Sequence, residues 1–163
     1  GFGREQVVVI NIYDTAIRQR TESVKAALRQ HHGIVGVAFS SHLPGGSART
    51  NVFAPQGFAY ENMQMMDAVS VDADFVPTMQ IGTLAGRNFL SDHSSGSSRD
   101  ILINETAVKK FGWTTESAVG KTIAELTDTM VEKTIVGVVK DYHQRNLYNT
   151  IEPLYLELRP ESF

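Results

Sequence analysis

The chain has 163 residues, which is the size of one domain or of two small lobes that share a core. Its hydrophobic content of 42% is typical of a folded protein, and a formal net charge of -3 without a basic cluster disfavours nucleic acid as a partner. The chain contains no cysteine, which excludes disulfides, a thiolate nucleophile and a cysteine zinc site.

The ends and the hydropathy pattern indicate part of a longer protein. No apolar run approaches the roughly 18 to 20 residues that span a bilayer, and residues 1–6 lack the features of a signal peptide. The chain does not begin with Met, and a strand is expected almost at once. We therefore expect a domain taken from a longer chain.

The first 40 residues predict two strands on either side of a helix. Residues 5–13 are nearly continuous in Val and Ile, which predicts a central strand covered on both faces. Asp14 or Thr15 can cap a helix that runs to about Gln30 with a narrow apolar stripe, and residues 36–40 predict a second strand. This order indicates a sheet with a helix on one face.

The middle of the chain predicts a strand followed by a short helix. Residues 63–71 alternate between large apolar and small or polar side chains, as expected of a half-buried strand. Asp74 is an N-cap candidate, because it places Pro77 in the first turn, where a missing N–H breaks no intrahelical bond. The helix is expected to end at about Gln80.

The second half of the chain predicts four strands and one helix. The strands are expected at residues 101–103, 122–126, 133–139 and 154–158. Asn104 is expected to cap a helix that stops at Gly112, and this interpretation is better than that of a glycosylation acceptor at Asn104-Glu105-Thr106. We expect residues 7–12 and 135–139 to be buried strands of one mixed sheet.

The segment TESAVGKT, residues 115–122, is the nearest approach to a phosphate-binding loop. Such a loop needs a glycine, four residues and then Gly-Lys-Ser/Thr, so that backbone amides can cradle phosphates. Gly120, Lys121 and Thr122 fit, but Thr115 stands where the first glycine is required, and a helix rather than a strand precedes the segment. We interpret it as a turn that leads into a strand.

Other catalytic and metal-site patterns are weaker. A small hydrolase would have to use Ser47, or Asp141 with His143, but the sequence around Ser47 lacks the closing glycine of a nucleophile elbow. The histidines show no metal-ligand spacing; they are His31, His32, His42, His93 and His143. The residues therefore nominate no catalytic, cofactor-binding or metal-binding side chain.

Four segments in order carry a family resemblance: VSVDADFVPTMQIGTLAGRNF, ILINETAVKKFG, AVGKTI and TIVGVVKDYHQRNLYNTIEPLYLEL. Together they resemble the periplasmic core domain of MacB-like and FtsX-like ABC transporter permeases. The resemblance covers residues 66–158, and GFGREQVVVINI with GIVGVAFSSHLPGG resembles the first part of the same domain. The sequence departs from the family at Pro77 and in the polar loop 91–98.

The resemblance implies an α+β fold, a two-lobed mixed α/β domain within residues 1–163. A porter-like lobe would be built from both chain ends, residues 1–72 and 132–163, and an inserted lobe from residues 73–131. The chain would cross between the lobes near residues 72–74 and 131–134, and two crossings form a natural hinge.

The resemblance also implies a non-catalytic function without a cofactor. The domain would lie on the periplasmic side of the inner membrane between two transmembrane helices, transmit ATP-driven conformational change, and contact a periplasmic partner or substrate. Its partners would be an ABC ATPase subunit or domain, reached through the flanking helices, with a second permease copy and a periplasmic adaptor as further candidates. The alternatives are a free-standing ligand-binding module and, less favoured, a small hydrolase.

We expect the protein neither to bind nor to hydrolyse ATP, because Thr115 removes the glycine that allows the backbone to approach a phosphate. Isothermal titration calorimetry with ATP tests this expectation. Micromolar binding that Lys121→Ala abolishes would contradict it.

Overall fold

The structure is a computed structural model that describes residues 7–43, 45–46, 48–57, 63–90, 99–126, 130–144 and 150–159. The helices in these residues are α1 Thr15–Arg18, α2 Thr21–Arg29, α3 Phe75–Thr78, α4 Glu105–Lys110 and α5 Thr115–Ala118. The strands are β1 Arg49–Pro55, β2 Gln64–Val71, β3 Thr83–Gly86, β4 Asp100–Asn104, β5 Thr122–Glu125, β6 Val131–Val139 and β7 Leu154–Leu158. No helix in these residues is both long enough and apolar enough to cross a bilayer.

The described strands form one sheet, and six of them close into a ring. The strand order is β3-β6-β4-β7-β2-β1-β5, and β5 also pairs with β6. Along one edge, β6 pairs with β4; along the other, residues 131–134 pair with β5 and residues 137–139 pair with β3. The ring is therefore a six-stranded barrel from which β3 branches.

The barrel interior is apolar toward the end that α4 and α5 cover. Every ring strand contributes an inward side chain there: Phe53, Met66, Ile103, Ile123, Ile135 and Tyr155. The helices add Ala107, Val108, Phe111 and Ala118 to the same cluster. Because side chains alternate between the two faces of a strand, one residue in two of each strand fills the barrel.

A second apolar layer covers part of the outer wall. Outward residues of β2 and β7, such as Val69 and Leu156, pack with Phe75 and Val76 of α3. Residues 66–71 are consequently all buried, whereas Met65 is 63% exposed. The strand predicted at residues 63–71 is confirmed, but the half-buried pattern is wrong because α3 and its neighbours cover the second face.

Most of the elements predicted in the second half are confirmed, β7 with identical bounds. The Oδ1 atom of Asn104 accepts hydrogen bonds from the backbone N–H of Ala107 at 3.0 Å and of Leu154 at 2.9 Å. One side chain thus caps α4, as expected, and also holds β7 beside β4.

Two glycines lie where β3 and β6 meet. Gly86 has φ +71, and a Cβ there would overlap the carbonyl oxygen of Val136. A Cβ on Gly137 would overlap the carbonyl oxygen of Arg87. The close approach of the two backbones therefore requires glycine on both strands.

The first 40 residues differ from expectation. Residues 7–14 form no strand, and Val8 and Ile10 are 86% and 66% exposed. The predicted helix is two helices, α1 and α2, and residues 34–39 form no strand, with only a bridge from Ser40 to Val71 following them. The strands predicted at residues 5–13 and 36–40 are therefore wrong, apart from the single bridge of Ser40.

The two-lobed arrangement is not confirmed. Strand β4, from the expected inserted lobe, lies between β6 and β7, which belong to the expected porter-like lobe. Strand β6 also runs without a break through the expected crossing at residues 131–134. The described strands therefore share one sheet across both expected lobe boundaries.

Burial of Val138 gives a test of the barrel. Val138 is 0% exposed in the interior cluster, so Val138→Asp should lower the free energy of unfolding in urea by about 3 to 5 kcal/mol, because it buries an unpaired carboxylate. The control Met65→Asp places the same residue at an exposed strand position and should cost less than about 1 kcal/mol. Equal losses for both variants would contradict the burial of β6.

Candidate functional site

The segment that approaches a phosphate-binding loop is a turn whose amides bond to the protein itself. Thr114 and Ser117 form a reciprocal capping box at the start of α5. Gly120, with φ +87, donates its N–H to the carbonyl of Ile135, and the N–H of Lys121 bonds to the carbonyl of Ala118. These amides are not available to a phosphate, which agrees with the sequence interpretation.

The hydrolase candidates are not assembled into a catalytic group. Both carboxylate oxygens of Asp141 accept hydrogen bonds from Thr106, at 3.0 Å from its N–H and 2.9 Å from its hydroxyl. Asp141 therefore holds the first turn of α4 rather than orienting His143. Ser47 lies outside the described residues.

A serine–histidine contact that the sequence analysis missed lies at Ser41 and His42. The Ser41 hydroxyl is 2.8 Å from Nδ1 of His42 and also accepts the N–H of Ser70 at 3.0 Å. Burial, and then the positive charge of Arg49, lower the pKa of His42. Because Ser41 is bonded on both sides, the contact anchors this turn to β2.

No metal site is formed by the described residues: they contain no group of three or more His, Cys, Asp or Glu side chains that could hold an ion. His31 and His32 are exposed just beyond α2.

The most distinctive polar feature is an ionic network inside the barrel, at the end opposite α4 and α5. Lys133 of β6 lies 2.9 Å from a carboxylate oxygen of Glu125 and 2.5 Å from one of Glu157. Ser70 donates its hydroxyl to Glu157 at 3.1 Å, and Asn51 donates to Glu125. One buried ammonium group thus joins strands β5, β6 and β7.

Arginines complete this network at its rim. Arg49 is 3.5 Å from Glu157 and 3.8 Å from Glu125, and Arg159 is 3.6 Å from Glu157. The two arginine side chains are 51% and 44% exposed, whereas those of the two glutamates are less than a tenth exposed. The partly exposed arginines therefore lie between the buried glutamates and solvent at this rim.

The pKa directions follow from burial and pairing. Burial alone lowers the pKa of Lys133, but Tyr155 and the carboxylates of Glu157 and Glu125 outweigh it and raise the pKa. Burial alone raises the pKa of Glu157, but the hydrogen bond and charge of Lys133, with Arg159 and Ser70, lower it. Both groups are held in their charged forms.

A second ionic cluster joins α2 to the turn after β2. Lys25 lies 2.8 Å from Asp72, 2.6 Å from Asp74 and 3.0 Å from Glu22. Arg29 lies 2.8 Å from the same oxygen of Asp74. Asp74 does precede α3, as predicted, but it makes no capping hydrogen bond, because its carboxylate binds these cations instead.

Sequence reasoning missed both clusters. A signal was present in β7, where Glu157 interrupts an otherwise apolar strand. The inward positions of Lys133 and Glu125 can be recognised only when the register of the ring is known. For Lys25 no sequence signal distinguished it from an exposed lysine on a helix.

The comparisons with known proteins concern the fold. No family model matches the chain, and no curated protein matches it significantly. Solved structures do match, among them a domain of a protein assigned as a permease in Porphyromonas gingivalis (TM-score 0.55, 18% identity), the extracellular domain of the noncanonic ABC-type transporter YknZ from Gram-positive bacteria (0.55, 15%), and the periplasmic region of MacB from Actinobacillus actinomycetemcomitans (0.56, 12%).

The chain has the fold of these domains. The matches cover 83%, 83% and 86% of this chain, and 55%, 60% and 55% of the three solved chains. The chain thus spans between 55% and 60% of their length. The resemblance inferred from the sequence is therefore confirmed at the level of fold.

Replacing Lys133 tests the ionic network. Lys133→Met leaves two carboxylates buried beside the rim arginines, and we expect it to lower the free energy of unfolding by about 3 to 5 kcal/mol near neutral pH. The pKa of Glu157 is lowered in the folded protein, so its stabilising effect is present above the ordinary glutamate value of 4.5 and is lost as the pH falls through the folded value. The deficit of the variant should therefore shrink in acid.

Urea unfolding at several pH values measures this effect. The exposed Lys109 supplies the matched control, since Lys109→Met should change stability by less than about 0.5 kcal/mol. The double variant Lys133→Met/Glu157→Gln should lose less than the sum of the two single variants, because it leaves one fewer unpaired charge. Additive losses would show that Lys133 and Glu157 are not coupled.

Proposed function

We propose that this chain is a non-catalytic extracytoplasmic domain of an ABC transporter permease, and that it transmits ATP-driven conformational change to a periplasmic partner or substrate. The observation that carries the proposal is the shared fold with the periplasmic region of MacB and the extracellular domain of YknZ. The ordered sequence resemblance over residues 66–158 supports it independently.

The described polar groups fit a mechanical role better than a chemical one. The carboxylates of Glu125 and Glu157 are bonded to Lys133, and those of Asp141 are bonded to Thr106. Each of these groups is used to connect elements. A barrel closed by hydrogen bonds and internal ion pairs moves as a unit, which is what a part that transmits force requires.

The proposal includes the location and the partners. The domain would lie on the periplasmic side of the inner membrane and be attached to it through helices in the full-length protein. An ABC ATPase subunit or domain would act on it through those helices, and a second permease copy and a periplasmic adaptor are the further proposed contacts. A motion of two lobes against each other is not part of this proposal, because the described strands share one sheet across both expected lobe boundaries.

Cysteine accessibility in the full-length protein tests the location. The described chain has no native cysteine, so Met65→Cys, on the exposed barrel wall, introduces a single reporter in this domain. We expect a membrane-impermeant maleimide to label it in intact cells whose outer membrane has been permeabilised. The control Ile123→Cys, at a position that is 0% exposed, should remain unlabelled.

Three outcomes distinguish the alternatives. Labelling of Met65→Cys in the membrane fraction, with predicted membrane helices in the reading frame before residue 1 and after residue 163, supports the proposal. Recovery of the protein in the soluble fraction supports a free-standing ligand-binding module instead. Labelling only after cell lysis would contradict an extracytoplasmic location.

A further inference from the structure

The most deeply buried residue of helix α2 is charged rather than apolar. Lys25 is the buried residue of this helix and is only 3% exposed. The apolar side chains of Val24 and Leu28 are half-buried, and Ala26 and Ala27 are exposed. Most helices of globular proteins are held by an apolar face, so α2 depends unusually strongly on one ammonium group.

The contacts of Lys25 connect α2 to one short turn. Its Nζ bonds to Asp74 at 2.6 Å and lies 2.8 Å from Asp72, and both acids follow β2 directly. The same Asp72 carboxylate accepts the backbone N–H of Phe39 at 3.0 Å. The turn at residues 72–74 therefore holds the chain at two points, on α2 and just before the Ser40 bridge.

The cluster is not fully satisfied. Oδ1 of Asp72 is buried without a hydrogen-bond partner among the described residues. Burial raises the pKa of Asp72 even though Lys25 and the N–H of Phe39 act in the opposite direction. An incompletely paired buried charge regains hydration when it is exposed. Release of α2 would thus hydrate these ions and expose no fully buried apolar residue of the helix.

Helix α2 also connects the first described residues to the barrel. Residues 7–14 form no strand, and Nε of Arg18 in α1 donates to the carbonyl of Ile12 at 2.9 Å. Helix α2 follows α1 after a two-residue break, and the chain next reaches the sheet at the bridge from Ser40 to Val71. A displacement of the residues that precede α2 would therefore be transmitted to the barrel wall through α2.

We propose that α2 is an ionic strap, which docks on the turn at residues 72–74 through Lys25 and is released from it as a unit while the barrel stays folded. The use of the strap rests on the proposed function: in a transporter domain it would set whether movement of the preceding chain is passed to the barrel. The strap itself is a property of the chain and does not depend on that role.

Cysteine reactivity measures the release. In a Leu28→Cys protein, the half-buried thiol is protected when α2 is docked, so its rate of maleimide labelling reports the released fraction. Asp74→Asn removes the carboxylate that Lys25 and Arg29 share. We expect this change to raise the labelling rate about tenfold, which corresponds to about 1.4 kcal/mol, and Lys25→Met to raise it at least as much.

Matched variants separate the strap from general unfolding. Glu22→Gln changes an acid that also contacts Lys25 but whose side chain is 80% exposed, and it should leave the rate within about twofold of the reference. Ile123→Cys, inside the barrel, should stay unlabelled in the Asp74→Asn and Lys25→Met backgrounds.

Two results would contradict the proposal that α2 is an ionic strap. The first is a Leu28→Cys labelling rate that neither Asp74→Asn nor Lys25→Met changes, which would mean that other contacts hold α2. The second is a parallel rise at Ile123→Cys, which would mean that α2 and the barrel open together. A protein that passes this test but is recovered in the soluble fraction would retain the strap and lose the proposed function.

Discussion

The architecture depends on strand β6 pairing along both of its edges. Strand β4 occupies one edge for most of its length, and β5 and β3 share the other. The pairing with β5 closes the ring, so the polar backbone groups of the ring strands find partners in neighbouring strands. Closure also creates a barrel interior. Apolar side chains that face this interior pack together, and charged side chains that face it need counter-charges.

The protein buries lysine in two different ways. Lys133 lies within the barrel, where carboxylates from two other strands surround it and a serine and an asparagine complete their hydrogen bonds. Lys25 lies at the periphery, where one of its partners, Asp74, is partly exposed and another, Asp72, keeps an unpaired oxygen. The first arrangement resists separation because it joins strands that are also paired by their backbones. The second joins a helix to a turn, and no backbone pairing between strands reinforces it.

Local signals predicted the second half of the chain well and the first half poorly. Asn104 was identified as a cap because its N-capping chemistry depends on the next three residues, and β7 was identified from the largely apolar run at residues 154–158. Residues 7–13 have equally strong strand character, but a strand also needs a pairing partner, and the partners in this sheet are set by elements up to 100 residues and more later in the chain. The charged sites could not be predicted from the sequence for a similar reason. Whether Lys133 and Glu125 face inward or outward follows from the register, which is a property of pairs of strands.

The position of β7 in the ring has a consequence for biosynthesis. This strand is the last one described, yet it lies between β2 and β4 and pairs in parallel with β2. Until residues 154–158 have been synthesised, β2 and β4 have no neighbour on the sides that will face β7, so nascent chains carry two open strand edges during that interval. Loop closure over such a separation slows folding, and the growing polypeptide must avoid self-association through those edges during that interval.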